Sequence, residues 1–410
     1  MSSDSLPSLA PAAPRSSRRA PVPASARAIF KLLAHLRHGA LTVHTPDGAA
    51  LHFGGQSRPV TLEIHSWDAF GRALRAGDIG FAEAYIAGQW STPDLTGLLS
   101  LLARNRDAIE SLVYGSWWGG LAYRIRHLLN RNSKSGSRKN IHAHYDIGND
   151  FYRLWLDPSM TYSSALFTSE CGRDLTLAQA AKYSRILLQL QVKRGARVLE
   201  IGCGWGGFAE TAAANGVHVT GLTLSREQLA YARARLADAG LEQLADLRLC
   251  DYRDSHGQYD AIASIEMFEA VGEAYWPSYF ECVARNLKPG GHACIQTIVI
   301  ADHLFERYRR GTDFIQQYIF PGGMLPSPSL FERLAEEHGL RVTHSLRFGA
   351  DYADTLAMWR QAFHARLDEV RAQGFDDTFI RTWEFYLCYC EAAFRENNTD
   401  VMHFTLTKGA

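Results

Sequence analysis

The stretch RVLEIGCGWGGF, residues Arg197 to Phe208, sets glycines at 202, 204, 206 and 207 directly after strand-like residues and directly before a helix-like run. Gly202, Gly204 and Gly207 satisfy G-x-G-x-x-G, a spacing that lets the chain turn tightly and lets an adenosine-bearing ligand lie against bare backbone. A nicotinamide dinucleotide also needs a carboxylate at the end of the next strand to hold the ribose hydroxyls. That strand ends GLTLSREQ, with Thr223 and Ser225 where the acid should stand. The spacing therefore points away from NAD and toward S-adenosylmethionine. Gly202, Gly204 and Gly206 admit its methionine end, and Glu200 orders a water or the ligand's ammonium group. Asp251 and Tyr252, closing the third strand in LRLCDY, reach the adenine amine and cover its face. Trp205 and Phe208 fit core packing as well as ligand contact.

The elements that must position these groups alternate. RVLEIGC, HVTGLTLS, ADLRLCDY and YDAIASIEM read as strands, and FAETAAANG and REQLAYARARLADAG read as helices between them. FECVARNLKPGGHACIQTIVI adds a helix, a Pro-Gly-Gly turn and another strand. Strand–helix alternation implies parallel strands covered by helices on both faces, and strand ends in such a sheet converge on one crevice. The expected fold is α/β: a Rossmann-like class I methyltransferase domain with a smaller N-terminal α+β domain.

Four segments divide the chain. Residues 1–24 are dominated by Ser, Pro and Ala and read as a disordered tail. Residues 25–110 read as the α+β unit: a helix in ARAIFKLLAHLRHG, strands LTVHTP and AALHFGG around the Pro46-Asp47-Gly48 turn, a strand VTLEIHS, and two helices around WDAFGRALRAG and GFAEAYIAGQW. Residues 111–140 form a linker that opens with aromatics, including Trp117, Trp118 and Tyr123, and then turns basic without a single acid. A plain connecting helix fits that composition, and so does a segment whose aromatics sit among lipid headgroups while its cations meet anionic phosphates. Residues 141–410 form the catalytic domain.

Lys plus Arg equals Asp plus Glu at 43 each in 410 residues, so the surface as a whole does not seek nucleic acid. No apolar run approaches the ~18 residues of a membrane-spanning helix. The seven cysteines lack C-x-x-C spacing, and the sixteen histidines lack ligand spacing, so neither a metal nor a disulfide framework is expected. The protein is expected in the cytoplasm.

At HYDIGNDFYRLWLDPSMTYSSALF, His144 to Phe167, the sequence gains a longer signature. With LEIGCGWGGFAE, GLTLSREQ, EMFEAVG, YIFPGGMLPS and YCEAAFR, in order and sensibly spaced over residues 140–410, it resembles the cyclopropane-fatty-acyl-phospholipid synthase and mycolic acid cyclopropane synthase family. The resemblance implies that a cis double bond of an acyl chain in a membrane phospholipid takes the sulfonium methyl, and that proton loss from this methyl closes a three-membered ring. It implies a bound bicarbonate as proton acceptor, peripheral contact with the inner face of the membrane, and leaves dimerisation open. Glu269 corresponds to the family's glutamate, Tyr352 to its tyrosine and Ile298 to the position giving backbone contacts. Two positions depart: Ser164 stands for a cysteine and Gln296 for a histidine, and a glutamine cannot take up a proton. Tyr162 and Ser163 match the family's ligand-contacting pair, and Thr223, Leu224 and Gln228 its second-strand block. Cys390 falls where a catalytic thiol has been placed, yet a cysteine in the apolar run WEFYLCYCEAAF also fits simple packing. Glu266, three residues before Glu269 and on the same face of any helix there, is a second acid that would serve as a cap or an additional ligand. Two alternatives stay open: a methylene- or methyl-branched product in place of the ring, and a lipid-binding protein with a degenerate site.

Overall fold

The computed structural model describes residues 21–107 and 147–409. The aromatic and basic linker, most of the N-terminal tail and His144 lie outside the described residues. Two sheets organise the rest. The larger has seven strands in the order β7-β6-β5-β8-β9-β11-β10: β5 (Arg197–Ile201), β6 (His218–Thr223), β7 (Ala245–Leu249), β8 (Tyr259–Ile265), β9 (Leu287–Ile300), β10 (Leu340–Arg347) and β11 (Thr399–Lys408). β5 to β9 pair in parallel and β11 returns antiparallel between β9 and β10. β5 and β8 are buried along almost their whole length because helices cover both faces, which is why they read as apolar runs rather than as alternating patterns.

From β5 the chain steps to β6 and β7 on one side, then crosses to β8 and β9 on the other. The reversal leaves a crevice at the carboxyl ends of β5 and β8. Helices Gly207–Ala214 and Arg226–Asp238 follow β5 and β6 as expected. The Pro-Gly-Gly turn, in contrast, lies inside β9. Tyr259 pairs with Leu287 and Ala261 with His292, so the extra residues form a bulge in a continuing strand.

The N-terminal sheet has the order β2-β1-β3-β4: β1 (Ala40–His44), β2 (Ala50–Gly54), β3 (Val60–Ile64) and β4 (Trp90–Ser91). The Pro46-Asp47-Gly48 hairpin closes with the Gly48 N–H on the Thr45 carbonyl at 2.9 Å. The two expected helices run end to end within Asp68–Ile86, divided where the backbone leaves helical geometry at Ala76 and Gly77, the latter at φ 59°. The glycine supplies a bend that other residues resist.

The two parts share one core. Leu98 and Trp90 belong to the same buried cluster as Phe151, Trp155, Trp359, Trp383 and Phe385. The boundary is also bridged by polar contacts: Tyr85 donates to Glu384 at 2.6 Å, Thr96 to Glu391 at 3.1 Å, and Arg104 pairs with Glu396 at 2.7 Å. Helix Asp377–Arg395 carries most of these contacts. No helix among the described residues is long and apolar enough to cross a membrane.

Candidate active site

A cavity of about 320 Å³ lies at the crevice and extends beneath helix Asp377–Arg395. Its walls change character along its length. One end is made of Glu200, Gly202, Gly204, Thr223, Gln228 and Tyr252; the other of Ile315, Phe320, Leu356, Tyr386 and Phe394; Glu266, Glu269, Ile298 and Tyr352 stand between.

At the glycine end the backbone does what the spacing requires. Gly204 has φ 50°, and a Cβ there would project into open space, so the glycine leaves room that a ligand can take. Gly202, at φ 86°, lies so close to Met267 that a Cβ would stand 2.9 Å from its Cγ. Gly206 is different. It precedes helix Gly207–Ala214 at φ 83°, its added Cβ would stand 3.0 Å from that of Ala232, and it does not line the cavity. Its freedom serves helix packing.

Glu200 is 2% exposed, and its Oε2 has no hydrogen-bond partner among the described residues. Burial pushes its carboxyl up to about 8, against the pull of Arg235. An unpartnered buried carboxyl beside open space is a strong attractor for a cationic ligand. Thr223 is braced by its own turn: its Oγ1 donates to Gln228 at 3.1 Å and accepts from the Ser225 N–H at 3.1 Å. Ser225 in turn caps helix Arg226–Asp238 through the Gln228 N–H. Leu224 completes this wall. Asp251 lines the cavity too, with its two oxygens accepting from Arg253 Nε at 2.8 Å and Nη2 at 2.6 Å. Trp205 is both wall and strut, its indole N–H donating to Asn149 at 2.8 Å, whereas Phe208 is wholly in the core.

The middle of the cavity is organised around Glu266. Its Oε1 accepts from the Ser164 N–H at 2.8 Å and from Gln296 Nε2 at 2.7 Å, and its Oε2 from the Tyr352 hydroxyl at 2.6 Å. Glu266 follows β8 in the left-handed region at φ 47°, a conformation that costs a non-glycine residue roughly 1–3 kcal/mol. The acid is therefore not on the helix face that its spacing from Glu269 suggested; only a short 3₁₀ turn, Phe268–Ala270, forms there.

A second layer holds the first. Gln296 Oε1 lies 2.7 Å from His403 Nε2, and His403 Nδ1 lies 2.6 Å from Arg185 Nη1. A guanidinium can only donate, so Nδ1 accepts and the ring's proton sits on Nε2. Burial and the Arg185 charge hold His403 well below its usual range, so the ring stays neutral. Fully buried Lys182 donates to Ser163 Oγ and Gln179 Oε1, each at 2.6 Å. Burial lowers its ammonium, and the Glu266 carboxylate opposes that; burial raises Glu266, and Lys182 is the largest influence against it.

The residues that the resemblance assigns to one anion site are divided here. Ser164, Gln296 and Tyr352 converge on Glu266, while the Ile298 N–H donates to Glu269 Oε1. Glu269 Oε2 has no partner among the described residues, and burial followed by the Glu266 charge pushes the carboxyl up to about 8. Ser164 and Gln296 lie behind the wall, not in it.

The far end is aromatic. Tyr162 and Tyr386 share a hydroxyl contact of 2.7 Å, and the Tyr162 ring packs against Trp155 and Trp359. Of the three aromatics in DFIQQYIFPGG, Phe320 reaches the cavity, Phe314 is core, and Tyr318 bonds Glu83 at 2.5 Å. Phe314 and Phe320 flank a π-helical turn, Ile315–Ile319, that contains Tyr318. Cys390 is a wall residue whose thiol is driven far up by burial, which disfavours its thiolate.

The sequence model of one family, mycolic acid cyclopropane synthetase, matches residues 132–404. The chain belongs to this family. It is 40% identical over 402 residues to tuberculostearic acid methyltransferase UfaA1 of Mycobacterium tuberculosis, covering 95% of this chain and 93% of that one. It is 35% identical over 359 residues to the cyclopropane-fatty-acyl-phospholipid synthase of Escherichia coli K12, covering 86% and 89%. The structure of mycolic acid cyclopropane synthase CmaA1 complexed with SAH and CTAB superposes with a TM-score of 0.62 at 31% identity, over 66% of this chain and 98% of that one. The protein is thus an S-adenosylmethionine-dependent methyltransferase of the cyclopropane synthetase family with a class I α/β fold.

Sequence reasoning found the glycine end of this cyclopropane synthetase family member and the wall residues Tyr162, Ser163, Tyr352 and Ile298. It missed Lys182, Gln179, Arg185 and His403, which come from helix Leu175–Gln189 and from β11, far from any motif. Among the described residues no group of histidine, cysteine and acidic side chains could hold a metal.

Proposed function

We propose that the protein transfers a one-carbon unit from S-adenosylmethionine to the cis double bond of an unsaturated acyl chain in a membrane phospholipid, giving a cyclopropane. The observation that carries this reading is the gradient along one cavity, from an unpartnered carboxyl and bare backbone at Glu200 and Gly204 to a mostly apolar end at Ile315, Phe320, Leu356 and Phe394, with Asp313 and Gln316 beside Ile315. When bound, S-adenosylmethionine supplies an electrophilic methyl on a sulfonium. Glu200 favours a cation at the glycine end, Thr223, Leu224 and Gln228 form a rigid edge, and the aromatic end excludes water that would quench a carbocation. Tyr162 and Tyr386, both cavity walls, present π faces where positive charge would develop, with Trp359 packed behind the Tyr162 ring.

A second reading, a methylene-branched product, has its own support in the 40% identity to a tuberculostearic acid methyltransferase over 95% of the chain. The two products are isomers of equal mass, so mass spectrometry alone does not separate them. Proton NMR does. Lipid from vesicles of unsaturated phospholipid incubated with protein and S-adenosylmethionine should give the upfield resonances of a cyclopropane; terminal-alkene resonances would replace that product with the branched one. Absence of transferred carbon despite S-adenosylmethionine binding would overturn both.

We further infer a peripheral location on the cytoplasmic face of the inner membrane, where the aromatic and basic stretch 111–140 meets anionic headgroups. The composition of that stretch supports it.

A further inference from the structure

We propose that Glu266 is the proton acceptor of the alkylation, its carboxylate occupying the place that a bicarbonate ion would take. The inference rests on the alkylation reading above and concerns only who removes the proton.

The donor set is the first argument. A bicarbonate held by Ser164, Gln296 and Tyr352 needs their hydrogens, and all three hydrogens are directed at Glu266. A carboxylate and a bicarbonate present the same planar pair of oxygens, so one substitutes for the other in such a cradle. With the donors committed, the residues present do not fit a separate anion.

The backbone is the second. Glu266 stands at a left-handed position at the end of β8, where a glycine would be unstrained, and its N–H is fixed to the Gln296 carbonyl at 2.8 Å. That conformation turns the side chain into the cavity instead of along the strand.

The third is the supporting frame. Neutral His403 fixes the Gln296 amide so that its NH₂ faces Glu266, and Lys182 supplies a buried counter-charge. Glu269 takes none of these three donors: its Oε1 accepts the Ile298 N–H and its Oε2 has no partner among the described residues. Of the four lone-pair positions on a carboxylate, Oε1 of Glu266 has both filled and Oε2 has one filled by Tyr352. The remaining position is on Oε2, and Glu266 and Tyr352 both line the cavity.

The step balances. The alkene π pair forms a bond to the methyl carbon while the carbon–sulfur bond breaks with its pair left on sulfur, and the second alkene carbon becomes cationic. A proton then passes from the transferred carbon to Glu266 Oε2. The C–H pair it leaves behind closes the ring on the cation, or, after a hydride shift from the adjacent carbon, forms a methylene double bond. Both products lose the proton from the same carbon, so Glu266 serves either.

The test compares wild type, Glu266→Gln and Glu266→Gly in buffer stripped of carbon dioxide, with and without added bicarbonate. Label transfer from S-adenosylmethionine to phospholipid vesicles, S-adenosylmethionine affinity and Tm are measured. Wild-type turnover should be the same in both buffers. Glu266→Gln should lower kcat about a hundredfold or more, with S-adenosylmethionine affinity within about threefold and no response to bicarbonate. Glu266→Gly, which vacates the cradle, should recover turnover with bicarbonate and show a bicarbonate-dependent rise in Tm that wild type lacks. A severalfold rise in wild-type turnover on adding bicarbonate, or full turnover by Glu266→Gln, would overturn the assignment. A wild-type protein that binds S-adenosylmethionine but labels no lipid in either buffer would remove the alkylation reading, and the assignment with it.

Discussion

His403 Nε2 stands 2.7 Å from Gln296 Oε1 and thereby decides which end of that amide faces the cavity. Replacing His403 with Leu leaves the buried Gln296 oxygen without its donor and frees the amide to turn its oxygen toward Glu266. The expected loss of stability is about 1–3 kcal/mol by chemical denaturation, with kcat falling about tenfold or more and S-adenosylmethionine affinity nearly unchanged. An equal fall in affinity would mean that the histidine supports the fold at large and not this one amide.

Glu200 makes ligand binding pH-dependent. Its carboxyl, pushed up to about 8 in the ligand-free protein, must lose its proton to pair with a cation. S-adenosylmethionine affinity should therefore rise as pH increases toward 8, by up to about tenfold per unit, with proton release visible by calorimetry in buffers of different ionisation enthalpy. Stability moves the other way. A carboxyl raised above its ordinary 4.5 stabilises the ligand-free fold fully below that value and loses the contribution as pH climbs through about 8. Glu200→Gln should flatten both dependences, and an unaltered affinity profile in that variant would count against the pairing.

The glycines of the loop should separate into two behaviours. Gly204→Ala sends a methyl into the open cavity, so S-adenosylmethionine affinity should fall about tenfold or more for a stability cost near the ~1–2 kcal/mol of a left-handed alanine. Gly206→Ala meets Ala232 at 3.0 Å and should cost more stability while sparing affinity in whatever fraction remains folded. Thermal melts beside ligand titrations check the pair, and identical profiles would refute the distinction.

Vesicle binding should weaken with salt if the cations between residues 111 and 140 meet anionic headgroups. Flotation with anionic vesicles across a salt series measures it. Binding that ignores salt would leave only the aromatic side chains to explain adhesion.

Local patterns were the legible ones. The β5 loop, the Thr223–Gln228 turn and the strand–helix alternation each lie within a dozen residues, where glycine spacing and capping chemistry act directly. The Ala76–Gly77 break was legible too, whereas the Pro-Gly-Gly turn went astray because pairing with the neighbouring strand carried β9 through the weak point. Glu266 was visible as an acid but not as a hub: its partners at 164, 296 and 352 come from distant parts of the chain, and its left-handed backbone breaks the spacing argument linking it to Glu269. His403 and Lys182 carried no motif, since buried polar groups behind a wall are specified by three-dimensional neighbours alone.

Helix Asp377–Arg395 faces two ways, toward the cavity through Tyr386 and Cys390 and toward the first hundred residues through Glu384, Phe385 and Glu391. The leading unit is therefore no detachable accessory. Pulling it aside would shear the roof of the cavity, so whatever holds that unit in place also governs the shape of the site beneath it.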